Sequence, residues 1–139
     1  MTMEEGIIVN SELCHLPKVV GFVEKVCKQA RLSEKSLIPI AIVIEEIFTN
    51  IVHHAYSEGI VGTIEVNCRI RTNPRKIEIV FMDDGKAYNP LEQKDPDTTL
   101  PVEERAVGGL GILIVKKWVD NIRYTHKQDR NHLSIEKVL

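Results

Sequence analysis

The spacing of apolar residues along this chain changes period several times, and each change marks an element. Between His15 and Ala30, Leu16, Val19, Val20, Val23 and Val26 recur at the three-and-four spacing of a single buried helical stripe. Ile40, Val43, Ile44, Ile47, Phe48 and Ile51 repeat that spacing, predicting a long helix from Ser33 as N-cap to about Tyr56, interrupted near its start by Pro39. Ser36 stands where a full capping box would carry Glu. Two-residue alternation marks Thr63–Arg71 and Lys76–Asp83 as strands joined by a turn at Thr72–Arg75 that contains Asn-Pro. Gly6–Asn10 reads as a short first strand and Glu58–Gly62 as a turn. Gly109–Val119 returns to the helical period, and Asn121–His126 and His132–Val138 form a closing hairpin across a turn at Gln128–Asn131.

This order, βααββ–loop–αββ, predicts an α+β fold: a two-layer sandwich with helices on one face of a mostly antiparallel sheet. The stretch Gly85–Val107 has no consistent period and contains Pro90, Pro96 and Pro101. A loop of that length inside a compact domain is either functional or disordered. At 139 residues the chain reads as one domain, without internal repeat or linker.

Composition narrows the function classes. A net charge of −2 supplies no basic field for nucleic acid. Apolar runs such as Leu37–Ile44 are too short and interrupted to suggest a membrane span, and the start, with Glu4 and Glu5, does not resemble a secretory signal. Cys14, Cys27 and Cys68 show no C-x-x-C pairing, so a disulfide framework or zinc knuckle is not expected and a cytoplasmic location with reduced thiols is.

Three strings carry the candidate chemistry. In E-E-I-F-T-N-I-V-H-H-A-Y, Glu45–Tyr56, the side chains of Glu46 and Asn50 are four residues apart and project from one side of the helix, about 6 Å apart along its axis. They flank the core stripe at roughly 100–140° from its centre, whereas Glu45 diverges from Asn50 by about 140°. An amide oxygen is a good ligand for Mg²⁺, and a carboxylate beside it can accept a proton from an attacking hydroxyl. A solvated helix face with incidental polar residues would look the same. His54 lies nearer the apolar stripe and reads as a hydrogen-bonded structural histidine; a zinc site from His53 and His54 is disfavoured because adjacent helical residues diverge by about 100°.

In D-D-G-K-A-Y-N-P, Asp83–Pro90, strand parity puts Asp83 on the face of Ile77, Ile79 and Phe81. A carboxylate at the end of an apolar row needs a donor, and an adenine amino group is one, with Gly85 admitting a flat ring close to the backbone. D-D-G is also a common turn sequence. In G-G-L-G-I, Gly108–Ile112, glycines open a helix and can present backbone N–H groups to phosphate, although glycines also serve tight packing. Neither a Walker A loop nor a Rossmann fingerprint is present. The preceding loop could fold over a nucleotide as a lid at about 86–107, with Lys94 and Arg105 meeting phosphate oxygens.

In this order and at these separations the strings resemble the anti-sigma-factor/serine-protein-kinase branch of the Bergerat-fold ATPases, the superfamily of gyrase, heat-shock chaperones and sensor histidine kinases. Glu46–Tyr56 is similar to that branch's E-x-x-T-N-x-x-x-H-[AG]-Y signature, Asp83–Pro90 to its D-x-G-x-x-[FY]-[DN]-P box, and V-G-G-L-G-I to its second glycine box; R-N-H-L-S-I-E-K resembles its last strand. Lys86 and Ala87 depart from the small residues common after D-x-G.

The resemblance implies ATP and Mg²⁺ as cofactors, with Asn50 on the metal, Asp83 on the adenine amino group, and Gly85, Gly108, Gly109, Leu110 and Gly111 around the nucleotide. It implies Glu46 as the general base toward a partner's serine, Ser134 as a hydroxyl near the nucleotide, and Arg105 as a basic residue ahead of the glycine box. The implied partners are an anti-anti-sigma (STAS) protein, which is phosphorylated, and a sigma factor, which is sequestered; members of the branch often form homodimers. The alternative function is an ATP-gated binding switch that transfers no phosphate. Protein-kinase motifs of the H-R-D and D-F-G kind are missing.

Overall fold

The computed structural model describes residues 2–92 and 109–139. Strands β1 (Thr2–Asn10), β2 (Thr63–Arg71), β3 (Lys76–Asp83), β4 (Asn121–Lys127) and β5 (Arg130–Val138) form one sheet in the order β1-β2-β3-β5-β4. Every neighbouring pair is antiparallel. Helices α1 (Leu16–Gln29), α2 (Glu34–Asn50) and α3 (Gly109–Trp118) supply the second layer. The expected α+β sandwich is therefore present, with a first strand longer than the one the alternation suggested.

The core forms where the two periods meet. Alternate residues of β2 and β3, from Ile64 to Ile70 and from Ile77 to Phe81, are buried against the stripe Ile40, Val43, Ile44, Ile47 and Phe48 of α2. Val19, Val23, Val26 and Cys27 of α1 extend the same cluster. Phe48 and Phe81 are fully enclosed, so truncating either to Ala would cost about 3–5 kcal/mol. The helical run Glu34–Ala55, with a mean hydropathy of 1.5, is long and apolar enough to cross a membrane, longer than the interrupted runs suggested. Its apolar stripe is instead packed on the sheet.

Pro39 lies inside α2 without ending it. Ser33 takes the extended conformation of an N-cap, yet its hydroxyl pairs with that of Ser36 at 3.2 Å rather than capping a backbone N–H. At its other end α2 does not continue as an α-helix to Tyr56. Residues Ile51–Ala55 form a π-helical turn, and Tyr56 leaves in an extended conformation. Wider turns of this kind often accompany functional sites.

That widened turn ties the helix end to the loop after β3. The Ala55 carbonyl accepts a hydrogen bond from Lys86 N–H at 2.8 Å. Tyr56 adds a second tie: its hydroxyl donates to the Thr63 carbonyl at 2.7 Å and accepts from Asp84 N–H at 3.0 Å. Gly62 lies under the Tyr56 ring, where a Cβ would overlap the ring atoms. The end of α2 and the end of β3 are thereby held together.

Candidate nucleotide site

Asp83 is the last residue of β3 and only 2% exposed, as strand parity predicts. Burial pushes its carboxyl above the usual aspartate range; the Asn131 amide and the Gly85 N–H oppose that shift by favouring the charged form. Both donors reach one oxygen, Oδ1, at 2.8 Å from Asn131 Nδ2 and 2.9 Å from Gly85 N–H.

Asn131 is a site residue that the sequence reading placed in a turn. The β4–β5 hairpin turns on Gln128 and Asp129 alone, both with positive φ, as tight two-residue hairpin loops require. Asn131 therefore belongs to β5, directly opposite Asp83 in the register, and is buried. Its amide nitrogen donates to Asp83 and to the Lys86 carbonyl, the latter at 2.8 Å. Its oxygen accepts from Tyr88 N–H at 3.2 Å and from the Tyr124 hydroxyl. One amide so fastens the acid, the loop after β3 and the neighbouring strand. Alternation carried back from Ile135 and Leu133 would have found it.

The same parity corrects Ser134. It alternates with the inward-facing Leu133 and Ile135, pairs with Val80 across the ladder, and lies beside Arg123, Thr125 and His132 on the sheet face away from the helices. The structure does not bring it to Asp83.

Asp83, Asn131 and Tyr124 line a cavity of about 20 Å³ together with Asn50, Ile112 and, from the loop after β3, Tyr88 and Pro90. The helix, the end of β3 and the start of α3 converge there, as the three strings require. Asn50 is 8% exposed, and its amide nitrogen is buried without a hydrogen-bond partner among the described residues. A buried amide left in that state costs about 1–3 kcal/mol. It is the feature here that most asks for a ligand.

Glu46 is half-buried while Glu45 is exposed, the distinction the helical geometry anticipated. Its carboxylate rests against Gly111 in the first turn of α3, where a Cβ would overlap Glu46 Oε2. Burial, and secondarily the charge of Glu45, raise its carboxyl above the ordinary glutamate value. A carboxylate so shifted is a better proton acceptor than a fully solvated one.

Gly85 is needed for a reason other than the expected one. A Cβ there would strike the Ala55 carbonyl, so it is the protein's own backbone that comes close. His54 is exposed and stacks on Tyr88, ring centroids 4.8 Å apart, instead of hydrogen-bonding within the core. Gly109 and Leu110 open α3. Gly108, Arg105 and Lys94 lie outside the described residues.

Comparison with known proteins identifies the family and the fold. The family model described as the histidine kinase-like ATPase domain matches residues 9–137. The serine/threonine-protein kinase BtrW of Bordetella bronchiseptica is 23% identical over 114 residues, covering 82% of this chain and 79% of that protein. The serine-protein kinase RsbW of Bacillus thuringiensis is 35% identical over 91 residues, 63% of this chain but 55% of the relative, so the match spans about half its length. Among solved structures, the crystal structure of the RsbU and RsbW domains of a Mycobacterium tuberculosis protein superposes with a TM-score of 0.69 at 14% identity, covering 99% of this chain and 32% of that one. That likeness establishes the fold.

Proposed function

Since the chain belongs to the histidine kinase-like ATPase domain family, we propose that it is an ATP-dependent protein serine kinase and anti-sigma regulator. The observation that carries this reading is the convergence on one cavity of a buried carboxylate, Asp83, and a buried amide, Asn50, whose nitrogen has no partner among the described residues, with the Glu46 carboxylate one helical turn from Asn50 and against Gly111. In this reading Asp83 accepts a hydrogen bond from the adenine amino group. Asn131 holds Asp83 in place from behind.

The donor set beside the phosphates suits Mg²⁺, which prefers oxygen ligands and keeps several waters. Asn50 would hold it, since flipping the amide exchanges its oxygen and nitrogen positions. When bound, the ion neutralises charge on the phosphate oxygens. Backbone N–H groups at the start of α3, from Gly109, Leu110 and Gly111, face phosphate at a helix N-terminus. Arg105 and Gly108 complete this group, and the segment 86–107 serves as the lid.

Glu46 takes the proton from the Oγ of a serine on the partner. That oxygen bonds to the γ-phosphorus as the bond to the β-phosphate oxygen breaks, leaving ADP. The acceptor is a STAS-type anti-anti-sigma protein, and a sigma factor is the second partner, bound by a homodimer in the cytoplasm. The three cysteines are free thiols, in keeping with that location.

Incubation with Mg-ATP and STAS proteins from the same organism tests the reading, scored for phosphoserine. Glu46→Ala should lower transfer by at least about 100-fold, the usual scale of general-base catalysis, with ATP affinity within about twofold. Transfer that survives the substitution would remove Glu46 from its role. Nucleotide binding without any transfer by the parent protein would favour the switch alternative.

A further inference from the structure

We propose that Glu12, Cys14 and His15 form a binding site for a divalent transition-metal ion, with zinc the best match. The site lies at the corner between β1 and α1, and none of its residues lines the Asp83 cavity. The lack of a C-x-x-C pair argues against a zinc knuckle. A single short turn supplies a mixed set instead.

The backbone brings the donors together. Glu12 is extended, and the next three residues, Leu13–His15, form a 3₁₀ turn closed by His15 N–H donating to the Glu12 carbonyl at 3.0 Å. Residues three apart in such a turn eclipse one another, so Glu12 and His15 share a side. One ligand atom from each of Glu12, Cys14 and His15 lies within 4.8 Å of the other two. His15 Nε2 is 3.7 Å from Glu12 Oε1.

The magnitudes fit a metal. Tetrahedral zinc with bonds of about 2.0–2.2 Å to nitrogen and oxygen sets those atoms about 3.4 Å apart, and a sulfur at about 2.3 Å lies about 3.6 Å from either. The observed nitrogen–oxygen separation is already within a few tenths of an ångström of that value. The thiol is exposed, and the imidazole and carboxylate are 35% and 47% exposed, so small rotations can bring the sulfur in without disturbing the core.

The backbone beside them is fixed. Ser11 N–H donates to the Gly62 carbonyl at 3.0 Å, and Ser11 Oγ accepts from Gly62 N–H at 2.8 Å. Three protein ligands leave a fourth position for water or an outside donor, the pattern of open zinc sites. A thiolate and an imidazole select zinc over Mg²⁺, so the cation that accompanies ATP does not compete. Cys27 and Cys68, buried in the core, cannot substitute.

The test uses the full chain, reduced and stripped of metal. Cobalt(II) titration should give a thiolate-to-cobalt charge-transfer band and the intense visible bands of a tetrahedral ion, and zinc should displace the cobalt. Competition with a chromophoric chelator should show Cys14→Ser and His15→Ala each weakening zinc binding at least about tenfold, the scale lost even when only an outer-shell partner is removed. All three residues are at the surface, so thermal melting of the metal-free variants should match the parent. Absence of the charge-transfer band in the parent would overturn the proposal. So would its persistence in Cys14→Ser, or equal zinc affinity in all three proteins.

Discussion

Asn131 does more for the site than its place beside a hairpin turn suggests. Four hydrogen bonds meet on one side chain, so Asn131→Ala strips a donor from Asp83 and from the Lys86 carbonyl and removes the amide oxygen that Tyr88 N–H and the Tyr124 hydroxyl share. Loss of one hydrogen bond to a carboxylate, with its part-buried companions, predicts a destabilisation of about 1–3 kcal/mol in urea melts. A change under about 0.5 kcal/mol would show that the network is not structural. Glu46 makes the opposite kind of prediction. Its folded carboxyl is raised above the ordinary value of 4.5, so the folded chain holds that proton more tightly than the unfolded one. Stability contributed by this group is present at low pH and declines as pH rises from about the ordinary value through the raised one. Glu46→Gln should flatten that decline in denaturation midpoints measured between about pH 4 and 7, and a profile as steep as the parent's would contradict the shift. Parity and helical phase made Asp83, Asn50 and Glu46 legible in the sequence. They missed Asn131 because the turn was drawn two residues too long, and they admitted Ser134 by motif likeness although its parity points outward.

At the level of elements, the site depends on how α2 ends. Ile51 and Ala55 are four residues apart and both buried, so the apolar pattern reads as unbroken α-helix. Only the structure shows the π-helical turn that sends the Ala55 carbonyl to Lys86. Gly85 packs against that same carbonyl. Gly85→Ala should therefore cost about 1–3 kcal/mol by overpacking, and weaken nucleotide binding by moving Asp83 relative to Asn50. Thermal melting and nucleotide titration of the variant check both effects, and a parent-like protein would mean that the two backbones are free to separate. The sheet and helices were easier to foresee because each repeats one period long enough to declare itself. A five-residue change of helical pitch does not.

Across the whole molecule, the helical layer and the sheet meet in a cavity of about 20 Å³, room for roughly one water. A purine ring enters only if the segment carrying Tyr88 and Pro90 moves outward, away from the Asn131 amide and the His54 ring that hold Tyr88. Under the proposed function, recognition of the base and displacement of that segment would be one event, centred on Asp83. The most direct measurement is calorimetric titration of Mg-ATP into the parent protein and into Asp83→Asn. The substitution keeps the shape of the side chain and removes a buried charge, so the variant should melt at or above the parent's temperature. The parent should bind with a measurable heat, and the variant at least about 100-fold more weakly, the order expected when a buried donor–acceptor match is broken. Equal affinity in the two proteins, or no heat in the parent, would contradict the pocket.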